Sequence, residues 1–110
     1  MMREYTPDSW KIVEIDSPKH GKIYKVLASW YGGFAGSNSW KLSSGIEDVK
    51  IDGDMYVLPQ SSGSVYICHA GAEHVSGIMS GIYAGFSKQL EESGSGTIRM
   101  LDWQEFLETR

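Results

Sequence analysis

The chain has 110 residues, with a formal net charge of −4 and a sequence pI of about 5.2. That length suits one domain, and a chain of this size buries roughly 65% of its unfolded surface, enough for one core without a metal or disulfide. An acidic chain with no Lys or Arg from 51 to 87 argues against a nucleic-acid-binding surface spread over the whole domain, because phosphate contacts need a basic face. Six lysines do fall between Lys11 and Lys50, but Glu14, Asp16, Glu47 and Asp48 lie among them.

Residues 1–10 read as a loose arm, with Trp10 pinning its end to the core. "KIVEI" (11–15) alternates as a short strand, and "DSPKHG" (16–21) is a turn by composition. "KIYKVLASWY" (22–31) is the clearest strand. Its alternation puts Tyr24, Val26, Ala28 and Trp30 on one face, with Ile23, Lys25, Leu27, Ser29 and Tyr31 on the other. "GGFAGSNS" (32–39) is a Gly/Ser loop. "WKLSSGIEDVKI" (40–51) holds a strand pair or one bent strand, with Gly45 at the break.

Asp52–Gly53 between "VKI" and "DMYVL" signals a hairpin, since Asp-Gly readily takes up the positive φ of a type I′ turn. Pro59 ends the returning strand, "SSGS" (61–64) turns, and "VYICH" (65–69) is a further strand. The period then changes. Val75, Ile78, Met79, Ile82, Tyr83, Phe86 and Leu90 follow helical spacing, which predicts a helix over about 73–92. "SGSG" (93–96) ends it and "TIRML" (97–101) is the last strand. Asp102 and Glu105 form a capping-box pattern for a short final helix with Trp103, Phe106 and Leu107 inward. The expected architecture is an α+β domain: an antiparallel meander sheet, one long helix on a face and a short C-terminal helix.

The residue types with most chemical potential lie in "SSGSVYICHAGAEH" (61–74), which holds the one cysteine and two of the three histidines. Strand alternation points Cys68 and His69 to opposite faces, whereas a Cys–His nucleophile pair needs hydrogen-bond reach. Cys68, His69, Glu73 and His74 carry zinc-ligand atoms, yet their spacing matches none of the usual zinc patterns. The expectation is a core cysteine with two polar histidines, and no metal or other cofactor; a small metal-dependent enzyme built on Cys68, His69 and His74 is the alternative.

Two other features suggest contact surfaces. Trp30, Tyr31, Phe34 and Trp40 surround a Gly-rich loop, a composition suited to stacking on a base, a sugar or a partner's side chain. The competing reading puts Trp30 and Trp40 in the core and leaves Phe34 alone exposed. The loop fits neither a dinucleotide fingerprint nor a P-loop. Gly77, Gly81 and Gly85 recur every four residues along the long helix. Each costs about 1 kcal/mol against Ala inside a helix, so they imply close packing by another backbone, from this chain or from a partner such as the same helix of a homodimer. The acidic hairpin 47–54 fails as a calcium loop, because Lys50 and Pro59 occupy two ligand positions.

"SWKLSSGI" (39–46) followed by "SGSVYICH" (62–69) resembles small uncharacterised proteins carried by phages and prophages. The resemblance implies a compact accessory protein that binds a host protein or blocks a host defence, and carries no residue roles with it. The one cysteine, the polar N-terminus and the lack of about 20 consecutive apolar residues lead to the expectation of a soluble cytoplasmic protein without a signal peptide. The sequence therefore points to a non-enzymatic binding protein whose partner is a protein or a small molecule.

Overall fold

The computed structural model describes residues 3–31 and 39–110. It is an α+β fold with eight strands, a long helix and a short C-terminal helix among the described residues. In chain order these are β1 (Glu4–Tyr5), β2 (Ser9–Ser17), β3 (Gly21–Trp30), β4 (Ser39–Leu42), β5 (Lys50–Asp52), β6 (Met55–Pro59), β7 (Val65–His69), α1 (Gly77–Ser93), β8 (Thr97–Leu101) and α2 (Trp103–Thr109). The strands divide between two four-stranded sheets, ordered β1-β7-β6-β5 and β4-β3-β2-β8. β5-β6-β7 and β2-β3-β4 each keep the hairpin order of a meander, with β1 added in parallel beside β7 and β8 antiparallel beside β2; between the two meanders the chain crosses at 43–46. There Ser43 and Ile46 donate to Val26 and Tyr24 of β3, while the Gly45 carbonyl accepts from Ser61 beyond β6. Gly45 thus marks the break that its position between two strand patterns suggests.

The β4-β3-β2-β8 sheet is the middle layer. Its Trp10, Ile12, Val26 and Ala28 pack with Leu58, Tyr66 and Cys68 of the other sheet and with Trp103 and Phe106 of α2. Its opposite face, with Val13, Leu27 and Ile98, packs on Met79 of α1, flanked by Ile78, Ile82, Tyr83, Phe86 and Leu90. Period-two alternation in β3 produces both faces at once, with Tyr24, Val26 and Ala28 against α2 and the second sheet and Leu27 under α1.

Three local readings are corrected. Residues 4–10 are not a loose arm: β1 pairs in parallel with β7, and β2 begins at Ser9, so Ser9 and Trp10 are fully buried. The hairpin turn has Gly53 and Asp54 at its centre, because Asp52 already pairs with Met55. Gly53, at φ 58°, supplies the left-handed residue. The long helix starts at Gly77, not 73. A 3-10 turn spans Ala70–Ala72, the Ser76 hydroxyl caps the helix by accepting from the Met79 amide, and Val75 lies outside it and is exposed. Gly94, at φ 66°, closes the C-terminus.

The final helix is capped differently from the capping-box expectation. Asp102 makes no side-chain cap. Its carboxylate accepts from Lys11 at 2.7 Å, and the Glu73 carboxylate takes the Trp103 amide at 2.9 Å. Glu105 pairs instead with Arg99 at 3.0 Å. A carboxylate from a distant segment does the capping, which local sequence spacing does not reveal.

Candidate functional site

Cys68 and His69 diverge as strand alternation requires. Cys68 is fully buried in the inter-sheet core, and His69 is exposed at the end of β7. Burial, reinforced by the nearby Glu73 charge, pushes the Cys68 thiol well above its ordinary range. A buried, protonated thiol is a poor nucleophile. His69 contributes through its backbone, its carbonyl accepting from the Trp10 indole at 2.7 Å. Among the described residues no three His, Cys, Asp or Glu side chains converge as metal ligands. The 65–69 part of this stretch is a strand whose inward residues, Val65, Tyr66 and Cys68, are buried.

His74 goes elsewhere. Its Nε2 lies 2.9 Å from the Ser9 Oγ and 2.9 Å from the Tyr31 hydroxyl, and those two oxygens also contact each other. Beside them the Ser29 and Ser76 hydroxyls meet at 3.0 Å, and the Asp8 carboxylate takes the Tyr31 amide. A serine in hydrogen-bond reach of an imidazole has nucleophile–base geometry. Two features stop it there. Ser9 is fully buried, and among the described residues the His74 ring contacts the Ser9 and Tyr31 hydroxyls and no carboxylate. The cluster ties the start of β2, the end of β3 and the N-terminus of α1 together. Sequence spacing could not find it, since Ser9 and His74 are 65 positions apart.

The aromatic residues named from the sequence fall on two faces. Register places Trp30 opposite Ser39 and Trp40 opposite Ser29, so Trp30 and Trp40 point to opposite sides of the middle sheet. The Trp30 indole donates to the Thr6 carbonyl at 3.0 Å and packs on Tyr5. Tyr31 belongs to the His74 cluster but is 43% exposed. Trp40, 38% exposed, meets Phe86 of α1 edge-on at 6.1 Å. Phe34 lies outside the described residues. The described rings therefore do not form one continuous aromatic surface, and Trp40 joins the helix rather than Trp30.

The glycines complete that join. Among the described residues no backbone packs on Gly77, Gly81 or Gly85: a Cβ added at any of them would meet nothing there within 4 Å. The described residues therefore do not supply the close backbone packing that the spacing suggested. Gly81 and Gly85 instead border a shallow depression of about 280 Å³ with Trp40, Ile82, Phe86 and Gln89. Trp40 of the aromatic set and Gly81 and Gly85 of the glycine ridge, read separately in the sequence, so meet at one place, with Phe86 the link that neither pattern indicated.

Compared with protein-family models, with curated proteins and with solved structures, the chain matches none. Among the described residues no helix is long and apolar enough to cross a membrane.

Proposed function

We propose that this chain is a small non-enzymatic binding protein that engages a protein partner through Trp40 and the open side of α1. The observation that carries this reading is an exposed tryptophan beside two glycines whose Cβ positions are empty. Glycine inside a helix costs about 1 kcal/mol against Ala, and nothing among the described residues requires Gly81 or Gly85. A partner approaching the helix backbone gives that cost a use, and tryptophan is among the commonest anchors of binding energy at interfaces. The resemblance of 39–46 and 62–69 to phage-carried proteins makes a host protein the partner class. A second copy of the chain is the competing occupant of the same face.

The test is affinity capture from a host lysate using the wild type, Trp40→Ala and Gly85→Glu, with bound proteins identified by mass spectrometry and melting temperatures measured in parallel. The expected result is one protein retained by the wild type and lost from both variants while each still melts cooperatively. Retention by all three would remove this surface from the account, and a stable homodimer disrupted by Gly85→Glu would replace the host partner with a second copy.

A further inference from the structure

Below Trp40 the same side of α1 continues through Gln89 and Ser93 over a part of the middle sheet that the helix leaves uncovered. The resulting groove, about 320 Å³, is lined by Ile15, Leu42, Phe86, Leu90 and Ile98, with Gln89, Ser93 and Ser95 at its polar margin. That volume lies at the lower end of the range for small-molecule sites. One charged side chain lines it, Lys25 of β3.

Lys25 is unusual for its neighbours. It stands opposite Val13 of β2, which in turn stands opposite Met100 of β8, so its row across the sheet is otherwise apolar. Two lysines of the described residues are half-buried, Lys11 and Lys25. Lys11 is bound by two carboxylates, Glu73 at 3.0 Å and Asp102 at 2.7 Å. Lys25 has no ion pair or side-chain hydrogen bond among the described residues, and the remaining residues, 1–2 and 32–38, contain no Asp or Glu. A cation held in apolar surroundings without a counter-ion favours an anion presented there. The five apolar side chains favour an apolar body attached to it.

We propose that the groove between α1 and the β3–β4 edge binds an amphiphilic carboxylate, a small molecule with an apolar body lying on Leu42, Phe86 and Leu90 and its acidic head on Lys25. The site borders the Trp40 surface through Phe86 and Gln89 but does not depend on it, because Lys25 plays no part in the protein-partner reading.

Decanoate is the probe, with decanol as its uncharged counterpart, followed by two-dimensional amide and methyl NMR on the full chain. The account predicts saturable shifts at Lys25, Leu42, Phe86 and Leu90 with decanoate. Decanol, and decanoate on Lys25→Met, should bind roughly tenfold more weakly, the loss of one charge-assisted contact. Methionine keeps an unbranched apolar stem, so Lys25→Met should fold with an unchanged or higher melting temperature. Trp40→Ala should leave decanoate binding intact, which separates a failure here from a failure of the protein-partner reading. Equal binding of decanoate and decanol, an unaffected Lys25→Met, or no shifts at millimolar decanoate would each overturn the proposal. So would a concentration-dependent dimer that protects the groove residues, since a second copy would then be the occupant.

Discussion

The two faces of the middle sheet are built differently. Toward the second sheet and α2, the Tyr56 and Trp103 rings stack at 3.8 Å, nearly parallel, and Trp10 meets each of them edge-on at 5.8 Å. Polar atoms entering that layer are matched: Gln60 donates to the Leu58 carbonyl and the Ser43 hydroxyl accepts from the Val26 amide. Toward α1, only Met79 of the helix is fully buried, two glycines border open space, and a lysine without a counter-ion sits among apolar side chains. The first face is closely packed, and the second leaves surface uncovered by the described residues. Stability and binding should therefore respond to substitutions on different sides of one sheet.

The largest expected effect is on the closed face. Trp10→Ala removes a fully buried ring, its two edge contacts and the indole hydrogen bond to His69, and should cost about 3–5 kcal/mol. Against a typical total of 5–15 kcal/mol, urea denaturation should show a greatly weakened transition or none. Gly96→Ala comes next. At φ 147° its new Cβ would overlap the Asp16 carbonyl oxygen and approach the Ser17 Cα to 3.1 Å, both backbone atoms that cannot swing aside. A loss of about 1–3 kcal/mol is expected, read by the same denaturation. The contrast with Gly81, where the added Cβ meets nothing, is a direct test of which glycines the fold requires.

Acid titration sharpens the comparison further. The Arg99 hydrogen bond holds the buried Glu14 carboxyl below the usual carboxylate range despite its desolvation. Lys11 does the same for Asp102, chiefly by hydrogen bonding. A carboxyl whose folded pKa is depressed adds stability above its unfolded pKa, about 4, and loses it as pH falls through the folded value. Stability should thus decline below about pH 4, and Glu14→Gln should lower the neutral-pH plateau while flattening that decline. Cys68 should react with a thiol reagent only at the rate of unfolding, since it is fully buried. Fast labelling of the native protein would contradict the core assignment of the 61–74 stretch.

Much of the packing on both faces was legible in the sequence because alternation and helical period are local. The two faces of β3, the inward set of α1 and the divergence of Cys68 from His69 all follow from side-chain direction along one element. The division into two sheets was not legible, because it depends on whether the chain at 43–46 bends back to pair with Gln60 or continues in plane. Trp10 is in the core as its place at the end of the polar N-terminus suggests, but the order of residues 4–5 is not legible, because β1 pairs with β7, about 60 residues further on. The candidate surface was half legible. Trp40 and the glycines are visible as patterns, but their meeting through Phe86, and the isolation of Lys25, arise only from packing between distant segments.

The most direct test reads stability and binding in one variant, Gly81→Ala/Gly85→Ala, measured for melting temperature and for retention of the partner captured by the wild type. Alanine fills open space and favours the helix by about 1 kcal/mol per site. The account predicts a more stable protein that has lost its partner. A variant that is destabilised, or that keeps its partner undiminished, would contradict the claim that α1 holds this surface open for binding.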